Sequence, residues 1–249
     1  MTDIIDALAG IDTPTVCNAL IVLDPSLRGK NYTLDALIAA NLEGSGGDGI
    51  ASPPSGGRPG GGPAAATFTG YALTAKIISS EPSRDGHDAM LARRFAYYRY
   101  LSEARKPSLI VMEDCGRPRG LGSIWGEINV SIHKGLGLKG AVTNGAIRDL
   151  DSLPGGFPLI GGNVCPGSGF AHLVEFDTPV NVFGLPVSPG DLVHADRHGC
   201  VVVPSAWVAA LPAAIARVAQ REKTLLSVVN APDFDYEKLV AAWKMFEVK

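Results

Sequence analysis

Apolar residues recur along this chain in two rhythms, one near 3.6 and one near 2, and their alternation predicts a mixed α/β fold. In "DTPTVCNALIVL", Val16, Ala19, Leu20 and Leu23 fall at helical spacing, with Thr13 able to cap and Pro14 suited to the first helical position. The first 23 residues therefore read as helix, and "NYTLDALIAANLE" as a second helix. From residue 68 onward strands and helices alternate. "FTGYALTAKIIS" reads as a strand, "RDGHDAMLARRFAYYRYLSEA" as a helix whose Tyr97, Tyr98 and Tyr100 cover a core, and "PSLIVMED" as a short strand closed by acids. The glycine-rich loop "CGRPRGLGS" leads into a helix from about Ile124 to Gly135. The strand "GAVTN", a turn of helix at "RDLDSL" and a strand at "FPLIG" follow. Alternation at this spacing predicts a partly parallel sheet. Residues 179–203 are β-rich, broken by Pro-Gly-Asp and Asp-Arg-His-Gly turns. The end, from "SAWVAALPAAIARVAQREKTLLSVV", is helical, restarted by Pro212, and closes in a polar-aromatic tail.

The whole reads as a single α/β domain over residues 1–249, with a helical extension at 205–249 and one foreign piece at 44–63. That piece holds nine Gly and four Pro among its twenty residues, too little apolar surface to offset its ordering entropy, and reads as a flexible insertion. Its glycines Gly44, Gly46 and Gly49 match G-x-G-x-x-G, but a dinucleotide site needs a strand before the motif and a helix after it. Here a helix-like segment precedes and "ASPPS" follows.

Composition narrows the partners. The formal net charge of −3 and the absence of any block of like charges argue against a nucleic-acid surface. The start "MTDIIDALAG" has no basic, long apolar leader, and no apolar run reaches the length of a membrane span. Cys17, Cys115, Cys165 and Cys200 lie far apart, forming neither a zinc ribbon nor a disulfide framework. These features lead us to expect a soluble cytoplasmic protein that binds no membrane and no nucleic acid.

The candidate chemistry lies where "GAVTN" surfaces. Ligands of open α/β sheets gather beyond the carboxyl ends of strands, which is where Gly145, Arg148 and Asp149 fall. Gly145 permits a turn with positive φ. Arg148 offers a planar fork for a carboxylate, and Asp149 a hard oxygen ligand for Mg²⁺ or Mn²⁺. A 2-oxo acid would suit the two together. A surface ion pair with Asp149 capping a short helix is the plainer alternative. Gly126 and Glu127 open a helix 22 positions before Arg148 and Asp149, with one helix and one strand between. A crossover of that length can bring the helix start beside the later loop. The backbone amides of Leu121, Gly122, Ser123, Ile124 and Trp125 could then clasp a carboxylate.

A glycine loop leading to Gly-Glu, about twenty residues, then "NG" and "IRDLDSL" resembles the 4-hydroxy-4-methyl-2-oxoglutarate aldolase family, which also includes the regulator of ribonuclease activity A. "LAGIDTPTVCNAL", "FTGYALTAKI", "VSPGDLVHADRHGCVVVP" and "REKTLL" extend the resemblance over about residues 5–230. It implies an α/β/β/α sandwich similar to the swivelling phosphohistidine domain, and a homotrimer or homohexamer with intersubunit active sites. The activity it implies is a class II pyruvate aldolase, dependent on a divalent cation, with oxaloacetate decarboxylase activity. By position, Arg148 would bind the pyruvyl carboxylate and stabilise the enolate, Asp149 would hold the metal, and Glu127 would act through water in proton transfer. The chain departs from the family where Asn144 replaces an Asp, where Asn18 stands in a usual Asp-Ala-Leu, and at the 44–63 insertion. Asn144 could orient a water or substrate but cannot be a base.

In the closing helix Leu211, Ile215, Val218, Glu222, Leu225 and Val229 share one stripe, so Glu222 falls among apolar positions where a carboxylate is costly unless paired. An ion pair with a neighbouring Arg would satisfy it. The resemblance implies instead an acid delivered to an adjacent subunit's site.

Other chemistries find less support. Lys76 is the best Schiff-base candidate, but an outward strand lysine suits it better. The five histidines lack metal-binding spacing, His194 and His198 being separated by a turn, and no G-x-S-x-G elbow is present. The expectation is a metal-dependent lyase acting on a 2-oxo acid. The alternatives are a non-catalytic regulator binding a ribonuclease or other protein, and a lyase or hydratase for another oxo acid.

Overall fold

The computed structural model describes residues 3–42 and 66–247. The insertion at 44–63, with Gly44, Gly46 and Gly49, lies outside the described residues.

The N-terminal helix divides at Gly10, whose φ of 73° is left-handed. It gives α1 (Ile4–Leu8) and α2 (Thr13–Leu23). The cap of α2 is Asp12, not Thr13: its Oδ1 accepts the Thr15 N–H at 2.8 Å, while Thr13 is already helical. Of the helix expected over residues 31–43, the described residues 31–42 form no helical turn. Among them Ile38–Ala40 form β1, antiparallel to the strand Leu159–Gly161, and Asn41 after it has a φ of 59°.

The strands that follow are β2 (Phe68–Ile78), β3 (Ser108–Asp114), β4 (Ala141–Thr143), β5 (Ala146–Ile147), β6 (Leu159–Gly161), β7 (Asn163–Val164), β8 (His172–Phe176), β9 (Val180–Val182), β10 (Leu185–Val187), β11 (Leu192–Asp196) and β12 (Gly199–Val203). The helices are α3 (His87–Glu103), α4 (Glu127–Gly135), α5 (Leu211–Val229) and α6 (Tyr236–Glu247). The last of these occupies the expected polar-aromatic tail, where Trp243 and Phe246 pack ring to ring at 5.6 Å.

The main sheet runs β1-β6-β4-β3-β2-β11-β12. Its centre, β2, β3, β4 and β6, is parallel, and antiparallel strands flank it. β2 is long enough to pair with β11 along its first half and β8 along its second, with the register shifting after Lys76. One strand serving two partners in this way curls the sheet. β3 is apolar on both faces because both are covered. Ile110 and Met112 pack with Tyr97, Trp125 and Leu159 under α3 and α4. Leu109 and Val111 pack with Val182, Leu185 and Val193 behind the β9–β10 hairpin. A third cluster joins α1, α2 and α5 to Val201 and Val203 of β12.

Candidate functional site

β4 stops at Thr143, and Gly145 turns the chain with its amide donating to the Thr143 hydroxyl at 3.0 Å. Gly145 does not have the positive φ that its place after Asn144 suggested. It is small because a Cβ there would lie 3.2 Å from Cβ of Asp114 and from Oγ1 of Thr143. β5 then runs between β7 and an isolated bridge from Ile147 to Trp125. The Arg148 N–H donates to the Trp125 carbonyl at 2.9 Å. Arg148 and Asp149 thus follow the buried strand β5 out to the surface, their side chains 32% and 34% exposed.

Asp149 carries the unusual backbone. Its φ of 59° is left-handed, a conformation Asp and Asn tolerate better than most residues. That geometry turns its carboxylate back across the crossover rather than onto the short helical turn Leu150–Ser152 that follows it, so it does not cap that turn. Oδ2 accepts the Glu127 N–H at 3.2 Å, and Oδ1 lies 3.5 Å from Nη1 of Arg148. A carboxylate at the first turn of α4 also meets the positive end of the helix dipole. Gly126 makes this approach possible: a Cβ there would lie 2.3 Å from Oδ2 of Asp149 and 3.1 Å from Nε of Arg148. Nε of Arg148 is buried and, among the described residues, has no hydrogen-bond partner. Glu127 is exposed beside the pair.

The glycine loop is more committed than the sequence suggested. Ser123 donates its amide to the Gly167 carbonyl at 3.0 Å and its hydroxyl to the Ala146 carbonyl at 2.6 Å. The Trp125 amide donates to the Ser123 hydroxyl at 3.0 Å, and the Trp125 side chain is buried. The amides of Ser123 and Trp125 are therefore not free to clasp a carboxylate. Among the described residues, those of Leu121, Gly122 and Ile124 make no backbone bond across the loop. Gly122 is pressed against β7's outgoing loop, where a Cβ would meet the Ser168 carbonyl oxygen at 2.1 Å.

Asp114, unassigned by the sequence apart from its place among the acids closing β3, organises this loop. Fully buried, its carboxylate accepts the Ser79 hydroxyl and amide at 2.5 and 3.3 Å, the Gly116 amide at 2.9 Å and the Gly120 amide at 2.7 Å. Asn144 is buried as well: its Oδ1 accepts the Asp114 N–H at 2.7 Å and its Nδ2 donates to the Asn181 carbonyl at 3.3 Å. It ties β3 to β4 and to β9. Beneath Trp125 lies His133, its ring 4.6 Å from the indole, bonded to the Asn129 carbonyl at 2.6 Å and the Tyr97 hydroxyl at 2.8 Å. Burial holds its pKa down to about 4, so it stays neutral.

Glu222 is half-buried on α5, which packs on the third cluster rather than on the first, where Trp125 and Ile147 lie. One chain does not bring it to Arg148. Among the described residues it forms no ion pair with a neighbouring Arg. Lys76 pairs with Glu175 at 2.9 Å, a hydrogen bond that raises its pKa and opposes Schiff-base chemistry. His194 is buried between the Thr69 hydroxyl and the Ile11 carbonyl, while His198 turns to Asp196.

Comparison with known proteins gives these positions a context. A protein of Halalkalibacterium halodurans, provisionally named a 4-hydroxy-4-methyl-2-oxoglutarate aldolase, is 31% identical over 114 residues, 44% of this chain and 52% of that one. An uncharacterized protein of Methanocaldococcus jannaschii is 33% identical over 100 residues, covering 39% and 48% of the two chains. The chain thus spans about half the length of these curated relatives. Among solved structures, an uncharacterized protein from Pseudomonas syringae superposes with a TM-score of 0.67 at 22% identity over 97% of this chain and 93% of that one. Streptomyces coelicolor RraAS2, described as an unusual member of the RNase ES inhibitor RraA family, gives 0.63 at 22% identity over 88% and 93%. These likenesses are of fold. The profile of the RraA-like family, Aldolase/RraA, matches residues 13–202, most of the chain, and the protein belongs to that family.

Proposed function

We propose that this protein is a divalent-metal-dependent lyase that cleaves a 4-hydroxy-2-oxo acid to pyruvate, and decarboxylates oxaloacetate through the same enolate. One observation carries the reading: a glycine-cleared approach places the Asp149 carboxylate on the Glu127 amide, with Arg148 beside it. The aldolase-named relative is consistent with it.

The donor set decides which cation suits. Among the described residues no group of three or more His, Cys, Asp or Glu side chains is placed to hold a metal. That does not fit zinc, which takes three or four protein ligands. A single partly exposed carboxylate fits Mg²⁺ or Mn²⁺, which keep several waters and accept substrate oxygens. Asp149 would hold the ion, which when bound would polarise the 2-oxo group as a Lewis acid.

The chain's own residues supply the rest. Arg148 binds the substrate carboxylate through the exposed part of its guanidinium, whose fixed positive charge also stabilises the negative charge that develops during reaction. Glu127 is exposed at the mouth and orients the water that takes the proton from the C4 hydroxyl. The C3–C4 bond then breaks, its electrons pass to the 2-oxo oxygen, and the enolate is protonated at C3. The exposed apolar side chains of Leu121, Ile128, Val164 and Phe170, on the segments around the site, support assembly as a trimer or hexamer that covers them. Glu222 would then come from the neighbouring subunit.

The test is pyruvate release from a panel of 4-hydroxy-2-oxo acids and from oxaloacetate, with and without EDTA. Asp149→Asn keeps a residue that tolerates the left-handed backbone and should abolish metal-dependent turnover, and Arg148→Lys should lower it about a hundredfold or more. Turnover that survives both substitutions, or none on any substrate, overturns the reading.

A further inference from the structure

A second concave surface lies on the helical layer, away from Arg148. α2 and α5 enclose a cavity of about 830 Å³ whose floor is apolar, with Ile21, Val22 and Val218, and whose polar lining includes Arg28, Arg217 and Arg221. Arg217 and Arg221 stand one helical turn apart on the same face of α5, where like charges repel. Among the described residues no carboxylate lies within ion-pair distance of any of the three, and Glu222, next in the chain to Arg221, does not reach them.

Arg221 adds an independent observation. Its guanidinium carbon lies 4.9 Å from the centre of the Phe246 ring, so α6 holds the side chain in place. Its Nε is buried and, among the described residues, without a hydrogen-bond partner. Three guanidinium groups that line one cavity with no counter-charge among the described residues repel one another in the free protein, and an anion entering between them relieves that repulsion.

We infer that the α2–α5 cavity is a binding site for a compact organic or inorganic oxyanion of two or more charges, carboxylate- or phosphate-borne, held by Arg28, Arg217 and Arg221. Planar guanidinium groups suit both carboxylate and phosphate oxygens, and the apolar floor accepts a short carbon skeleton. The site is independent of the reaction proposed for Arg148.

Calorimetric titration of the full chain with citrate and with inorganic phosphate at low salt tests this. Saturable binding is expected, weakened about tenfold or more in the R28Q/R217Q double variant and unaffected by R148K. Arg28 and Arg217 are exposed, so the double variant should keep the wild-type circular dichroism spectrum and melting temperature in buffer. Tighter citrate marks a polycarboxylate as the ligand class, and tighter phosphate a phosphate ester. Absence of saturable binding for both anions, equal affinity in the double variant, or loss of binding through R148K alone overturns the inference.

Discussion

The amide of Glu127 donates to Oδ2 of Asp149 at 3.2 Å, joining the first residue of α4 to a residue 22 positions later. With the Trp125–Ile147 bridge and the Arg148 amide bond to the Trp125 carbonyl joining the same two ends of the crossover, this bond orients the carboxylate. Gly126 clears the path for it, and Gly126→Ala would place a methyl group 2.3 Å from that oxygen. The carboxylate can swing aside, so stability should change by less than about 1 kcal/mol. Turnover should fall about a hundredfold, because misplacement by an ångström at the reacting centre costs that much. Steady-state kinetics beside a thermal melt separates the two effects.

Gly122→Ala makes the opposite case. Its added carbon meets the Ser168 carbonyl at 2.1 Å, a backbone atom that cannot rotate away. A loss of about 1–3 kcal/mol is expected in urea unfolding, with reduced yield of folded protein.

Asp114→Asn should destabilise by about 3 kcal/mol. The buried carboxylate accepts from Ser79, Gly116 and Gly120, and an amide would turn one acceptor into a donor facing other donors. Faster hydrogen exchange across residues 115–123, against unchanged exchange in α5, would place the damage in the loop.

Stability should decline as the solution is acidified from about pH 6.5 towards 4. His133 has its folded pKa held down to about 4 by burial, against 6.5 for an ordinary imidazole. Between those values the unfolded chain binds a proton that the folded one refuses, so the free energy of unfolding falls as pH falls. His194, lowered by the same cause, adds in the same direction. His133→Gln should flatten the slope in a series of melts over this range, at a cost in stability at neutral pH.

If Glu222 serves an adjacent subunit, two inactive variants should rescue each other. Glu222→Gln and Arg148→Lys, each nearly inert alone, should regain a fraction of wild-type turnover when unfolded together and refolded as mixed oligomers. Activity no higher than the sum of the separate samples would place Glu222 outside the reaction.

Much of this was legible in the sequence, and for physical reasons. Continuous apolar runs located β2 and β3, which are buried on both faces, and helical periodicity located α3, α4 and α5. The pairing of Gly126 and Glu127 with Arg148 and Asp149 followed from crossover length. Ile38–Ala40 misled because Leu, Ala and Ile also form good helices, and only pairing with β6 selects the extended form. α6 escaped because its stripe becomes meaningful only against Arg221 and α5. Asp114 could not be read as a hub, since its donors come from two loops, at Ser79 and at Gly116–Gly120. The positive φ expected at Gly145 belongs to Asp149, a displacement that spacing alone does not reveal.

The missing side chain at residue 126 also offers a way to sort related proteins. A relative bearing any larger residue there would have to push its acid away from the helix start, whatever else it shared with this chain. If the proposed reaction holds, such a relative would keep the scaffold while losing the chemistry, and one position would separate catalysts from adaptors built on a common frame.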